Sequence, residues 1–184
     1  MRKSRLSDYK QQKLIEHFVA GTTARCAAEL VNVNSKTAAF YYHRLRQIIC
    51  LEIASDAEQF FDGEVEVDES YFGGPRKGKR GRGAAGKIPV FGFLKRGGRV
   101  FTVIIPDAKT NTLMPIIRDK IQPDSIVYSD SWRAYNALDV SEFKHFRINH
   151  SKLFAEQRNH INGIENFWNQ AKRLMRKFNG IPRR

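Results

Sequence analysis

Apolar positions recur at helical spacing through the first third of the chain and at strand spacing through most of the rest. Leu6, Leu14, Ile15, Phe18 and Val19 share one face of a helix over residues 6–19, with Ser7 as its N-cap. After Gly21 the pattern predicts a short helix over about 23–30, a polar turn at Asn32 to Asn34 and a longer helix opened by Ser35, the layout of a helix-turn-helix. In that layout Ala27, Ala28 and Leu30 pack against Ala39, Tyr42 and Leu45. Lys36, Thr37, Phe40, Tyr41, His43, Arg44 and Arg46 are left to face outward, as candidates for a DNA groove. The period fades between Leu51 and Gly63, which suggests a linker or short connecting helix. A boundary near residue 55 divides an all-α domain, 1–55, from an α/β domain, 56–184.

Beyond that point EVEVDESYF alternates, and IPVFGFLKR and RVFTVIIPD are short apolar runs joined by a KRGGR turn. Three antiparallel strands are predicted. TLMPIIRDKI follows as a helix with Pro115 in its first turn, then SIVYSD as a fourth strand, a short helix around Trp132 to Leu138, and FKHFRIN as a fifth strand. In the last helix Ile161, Ile164, Phe167, Trp168, Ala171, Leu174 and Met175 form a broad stripe. The expectation is a mixed five-stranded sheet flanked by helices, with a small helical domain ahead of it.

Charge adds a partner to this outline. The 184 residues carry a formal net charge of +13, which favours a polyanion through counterion release. Between Glu69 and Asp107 stand Arg76, Lys77, Lys79, Arg80, Arg82, Lys87, Lys95, Arg96 and Arg99 and no acid. The run from Lys172 through Arg173 to Arg184 is acid-free as well. The glycine-rich stretch GGPRKGKRGRGAAGK cannot build a core but can lay cations along a phosphate backbone. No run of roughly 18 to 20 apolar residues occurs and the opening MRKSRLSDYKQQ lacks a signal-peptide core, so a cytoplasmic protein without membrane contact is expected. Cys26 and Cys50 have neither disulfide nor zinc-finger spacing and are expected to be buried as small hydrophobes.

The candidate chemistry lies in three acids. Cutting or transferring a DNA phosphodiester needs the attacking oxygen activated and the leaving oxygen stabilised, work suited to two magnesium or manganese ions held by hard carboxylate oxygens. Asp68 lies on the first strand, Asp130 at the end of the fourth and Glu165 on the last helix. With the first and fourth strands as neighbours, the three converge. Each has a plainer alternative: Asp68, with Glu64 and Glu66 on its face, as a solvated edge residue; Asp130 as a helix cap; Glu165 as an exposed residue paired to a lysine. Lys172 lies seven residues after Glu165, two helical turns on, where a cation meets a phosphate. Asn162, one turn before Glu165, is a rival third ligand, and His160 is a cap or packing residue before it is a catalytic one. Trp132, Tyr135 and Trp168 are expected to pack around the acids.

VDESYFGG, YSDSWRAY and HINGIENFWNQAKR together resemble the DDE transposases of bacterial insertion sequences, in the ISXO2-like group, over about residues 64–180. The resemblance implies an RNase H-like catalytic domain with Asp68, Asp130 and Glu165 as metal-binding triad and Lys172 as the basic residue after the glutamate. It implies strand cleavage and transfer at terminal inverted repeats, double-stranded DNA as repeat end and target, and a homodimer or larger synaptic complex. Two features of such relatives are missing: a cysteine-rich zinc ribbon at the amino end and an apolar segment after the final helix, where this sequence reads GIPRR, consistent with a truncated copy. An RNase H-type nuclease without joining activity and a decayed or domesticated DNA-binding protein are the rival readings.

Overall fold

A computed structural model describes residues 5–56, 60–73, 86–148 and 160–178. The chain forms two compact units, Met1–Glu58 and Gln59–Arg184. Among the described residues no helix is long and apolar enough to cross a membrane.

The first unit holds α1 (Asp8–Val19), α2 (Ala24–Val31) and α3 (Ser35–Asp56). Side-chain oxygens of Ser7 and Thr23 cap α1 and α2, accepting the Lys10 and Cys26 amides at 3.4 and 3.3 Å. Asn32 ends α2 in the left-handed region at φ 52°, a conformation asparagine tolerates. The next helix opens at Ser35 as expected, and Asn34 precedes it with its Oδ1 accepting the Lys36 amide at 2.9 Å. The core is Leu14, Ala27, Ala28, Val31, Ala38 and Tyr42, with Leu6 and Phe18 against it. Two expected core positions are corrected by one residue: Leu30 and Ala39 face solvent, because the faces that meet run through Ala24, Ala27, Ala28 and Val31 and through Ala38 and Tyr42. Tyr41 turns inward instead of outward, its hydroxyl donating to Gln11 Oε1 at 2.9 Å. Cys26 and Cys50 are both exposed, contrary to expectation; they sit on the outer faces of their helices. Of the linker or short connecting helix expected after Leu51, the residues to Asp56 are helical, as a continuation of α3.

The second unit is built on β1 (Glu64–Phe72), β2 (Ile88–Lys95), β3 (Val100–Ile104), β4 (Ile126–Asp130) and β5 (Lys144–Ile148), with α4 (Thr110–Lys120) and α5 (Asn162–Met175). A 3-10 helix, Arg133–Val140, takes the place of the short helix expected after β4. The sheet order is β3-β2-β1-β4-β5. β1 to β3 pair antiparallel, and β4 and β5 add in parallel on the other side of β1. This is the mixed five-stranded sheet flanked by helices that the sequence led us to expect. Gly97 turns the β2–β3 hairpin at φ 69°, which a side chain would strain. Pro115 sits in the second turn of α4 rather than the first; its solvent-facing position leaves Leu113, Met114 and Ile117 free to pack.

Alternation along β1 divides two cores. Val65 and Val67 point with Phe91, Phe93, Leu113, Ile117, Tyr135 and Leu138 into the main core, under α4 and the 3-10 helix. The opposite face is covered by α5 through Ile161, Ile164 and Trp168, which pack with Tyr128. Leu174 and Met175, expected on the buried stripe, are exposed near the end of α5.

Candidate active site

Parallel pairing places the first two acids. Glu64 lies opposite Ile126 and Glu66 opposite Tyr128, where the pairing ends; the same register carried two residues further sets Asp68 beside Asp130, the last residue of β4. Both belong to the sheet face that α5 covers, and α5 brings Glu165 to the same place. Asp68, Asp130, Glu165, Lys87 and Lys172 line one cleft of about 590 Å³, together with Glu69, Ser70, Tyr71, Trp168 and Asn169. Asn162, the rival third ligand, is exposed and lies outside that lining.

The electrostatics of the cleft are those of crowded carboxylates. Burial first, and then the negative charges of Glu69, Asp130 and Glu165 in that order, push the Asp68 carboxyl up to about 8. A divalent cation relieves such repulsion, and the donors are the hard oxygens magnesium prefers. Among the described residues no three acid, histidine or cysteine side chains stand close enough to hold one ion as they are. The acids share a cleft without converging on a point.

Each acid is anchored differently. Asp130 does not cap the 3-10 helix, whose N-cap is Trp132; its Oδ1 accepts the Trp132 amide at 2.9 Å in the turn before it. Behind it, Ser129 Oγ lies 2.8 Å from His145 Nε2 and 2.9 Å from the Asp130 carbonyl, and His145 Nδ1 lies 2.6 Å from Asp139 Oδ1. This Ser–His–Asp chain has the connectivity of a hydrolase triad, but Ser129 is fully buried, so it braces the Asp130 backbone instead of attacking a substrate. Burial pushes the His145 imidazole down to about 4. Glu69, on the opposite face of β1 from Asp68, is buried and accepts the Tyr135 hydroxyl at 2.9 Å, and burial drives that phenol well above its ordinary range. Neither Glu66 nor Glu69 is a solvated edge residue, because β1 is the central strand.

Trp168 roofs the sheet beside Asp68. Across β1 and β2 Asp68 pairs with Gly92, and a Cβ there would lie 2.5 Å from Trp168 Cζ2, so only glycine lets the indole down onto the strand. The Trp168 Nε1 is buried, and among the described residues it has no hydrogen-bond partner. Trp132, expected to pack around the acids, is 42% exposed. Lys172 holds its ammonium 5.8 Å from the Phe72 ring centre at the cleft edge. Arg173 is exposed on α5 and is not part of the cleft lining.

The remaining basic candidates separate. Lys36 and Arg44 are exposed on α3, while Arg46 lays its guanidinium over Phe18 and Tyr42, 5.5 and 5.8 Å from the ring centres. Arg76, Lys77, Lys79, Arg80 and Arg82 lie outside the described residues. His160 Nδ1 is buried 3.5 Å from Glu66 Oε1, outside the cleft lining, a packing position rather than a catalytic one.

With this geometry in place, comparison with known proteins is decisive about ancestry. The model of the ISXO2-like transposase domain matches residues 60–181. The chain belongs to the ISXO2-like transposase family. It is 64% identical over 85 residues to an uncharacterized transposase-like protein of Haemophilus influenzae, covering 46% of this chain and 69% of that one. Over 172 residues it is 27% identical to an uncharacterized protein in the transposable element ISH50 of Halobacterium salinarum, covering 83% of this chain and 56% of that one. Among solved structures, the Mos1 transposase paired-end complex with left transposon end is similar at a TM-score of 0.34 and 11% identity, covering 100% of this chain and 74% of that one.

Sequence reasoning passed over Glu66, Gly92, Arg96 and the Ser129–His145 pair. Alternation in EVEVDES marked Glu66 as sharing a face with Asp68; nothing local marked Gly92, whose reason is a side chain 76 positions away in the sequence.

Proposed function

We propose that this protein is a metal-dependent DNA transposase that cleaves at terminal inverted repeats and joins the freed end to target DNA. The observation that carries the reading is that Asp68, Asp130 and Glu165, from two strands and a helix, line one cleft with Lys87 and Lys172. Two magnesium or manganese ions held by these three carboxylates would supply activation of the attacking oxygen and stabilisation of the leaving oxygen. Glu165 is the third ligand in preference to Asn162, since it lines the cleft and binds through a charged oxygen.

The chain's own residues do the remaining work. Lys87 and Lys172 hold phosphates at the cleft edge, and Trp168 with Ile164 keeps water out of the sheet face behind Asp68. Water attacks the phosphodiester at the repeat end and releases a 3′-OH; that hydroxyl then attacks a target phosphodiester in line, expelling the target strand's own 3′ oxygen. No covalent enzyme intermediate is required. The three-helix unit reads the repeats as a helix-turn-helix, with Lys36 and Arg44 exposed on the helix after the turn. Arg46 supports that surface, and Arg76, Lys77, Lys79, Arg80, Arg82 and Arg173 bind further phosphates. Two repeat ends require a homodimer or larger assembly, working in the cytoplasm on the nucleoid.

The test incubates protein, magnesium and labelled repeat-end DNA, and compares wild type with Asp68→Ala, Asp130→Ala and Glu165→Ala. Loss of cleavage and strand transfer of at least about 10³-fold is expected for each. Products insensitive to all three substitutions would sink the mechanism, and cleavage without joining by wild type would favour the nuclease reading.

A further inference from the structure

The strand that carries Asp68 also carries an acid that the proposed chemistry does not use. Glu66 is 1% exposed, on the α5 side of the sheet. Its Oε2 accepts the Ile164 amide at 3.0 Å and its Oε1 accepts from Arg96 Nε at 3.0 Å. Arg96 is held in turn: Nη1 donates to Glu64 Oε2 at 2.9 Å, Nη2 donates to the His160 carbonyl, and the guanidinium lies 3.7 Å from the Tyr128 ring centre.

The Ile164 amide is one of the first donors of α5, which have no acceptor within the helix. Ile161 at the N-cap offers no side-chain oxygen, so the cap comes from a strand 98 residues earlier. A carboxylate there also faces the positive end of the helix dipole. The fit leaves no slack: a Cβ on Gly163 would lie 2.8 Å from Glu66 Oε2.

Stability alone does not account for this arrangement, because desolvating a carboxylate and a guanidinium offsets most of their attraction, and an apolar pair of the same size often serves as well. Position does account for it. Asp68 is two residues from Glu66 on the same face of β1, roughly 7 Å along the strand. Glu165 is the residue after Ile164, about 1.5 Å further along the helix. We infer that Glu66, braced by Arg96, is a positioning residue that sets Glu165 relative to Asp68 and thereby the affinity of the cleft for divalent cations. The inference rests on the reading of the cleft as a cation site.

The test uses the full chain with Glu66→Ala, with Glu66→Gln, which keeps an acceptor for Ile164 but loses the charge facing Arg96, and with Leu138→Ala, a destabilised control buried on the other face of the sheet. Amide hydrogen exchange without metal reports the clasp; calorimetric Mn²⁺ titration and the Mn²⁺ midpoint of repeat-end cleavage report the cleft. Glu66→Ala is expected to speed exchange at Ile164 and to weaken Mn²⁺ binding by about 10-fold or more, with cleavage recovering at high Mn²⁺. Glu66→Gln should shift less, and Leu138→Ala should leave the midpoint in place. Mn²⁺ bound by wild type and equally well by Glu66→Ala overturns this inference alone. Wild type that binds no Mn²⁺ overturns the cation-site reading and the inference with it.

Discussion

Replacing Gly92 by alanine perturbs the cleft from beneath without touching any of its acids. The new Cβ would lie 2.5 Å from Trp168 Cζ2, 3.0 Å from Cη2 and 3.1 Å from Ile164 Cδ1. Carbon atoms in contact sit at about 3.5–4.0 Å, so the indole must retreat by roughly 1 Å. It has little room, because Phe72 and Phe167 meet it edge-on at centroid distances of 5.9 and 5.1 Å and it is only 4% exposed. The retreat therefore lifts α5 from the sheet. Overpacking of this kind costs about 1–3 kcal/mol, against which alanine recovers roughly 0.5–1 kcal/mol of glycine's entropy loss in a strand. A net loss of about 1–2 kcal/mol corresponds to a fall in Tm on the order of 5 °C for a unit of this size. Urea and thermal unfolding, followed by tryptophan fluorescence and by circular dichroism, measure it. In a Trp168→Phe background, where Cζ2 and Cη2 are gone and only the Ile164 Cδ1 methyl stays close, the same substitution should cost markedly less. An equal cost in both backgrounds would refute the argument that the indole is what glycine accommodates.

Two further expectations come from charge. In metal-free protein the Asp68 carboxyl stands at about 8, raised first by burial and then by Glu69, Asp130 and Glu165, against about 3.9 in an unfolded chain. The fold therefore holds a proton the unfolded chain has released. The contribution of this group to stability is full below pH of about 4 and lost as pH rises through about 8. Asp68→Asn should flatten that slope and be more stable than wild type above pH 8 by on the order of a few kcal/mol, measured by urea unfolding with a chelator present; parallel stability curves would contradict it. Separately, Lys36→Ala and Arg44→Ala, which remove exposed cations from α3, should each lower the slope of log affinity against log salt by about 1 for every phosphate left without its cation, with little change in fold. An unchanged slope would remove α3 from the DNA interface.

Local pattern was enough to mark the elements, and tertiary structure decided how they face one another. Period-two alternation and short apolar runs located the five strands of the described sheet, and Ser7, read as an N-cap, located the first helix start, because these signals are carried by neighbouring residues. The same locality explains the errors. Whether Leu30 or Val31, or Ala39 or Ala38, turns inward depends on the crossing of two helices, and one step along a helix rotates a side chain by about 100°. Cys26 and Cys50 are small enough to suit a core and were left outside it by that same rotation. Asp68 stood out on the first strand, Asp130 at the end of the fourth and Glu165 on the last helix, and their sharing of a cleft follows from the parallel register of β1 with β4 and from the seating of α5. That seating is what no window of sequence contains. It is set by Gly92 yielding to Trp168, and by Glu66 reaching 98 positions along the chain to cap the helix that carries Glu165. Such contacts exist only after the sheet has assembled, since a strand fixes where its side chains point and not what will arrive to meet them.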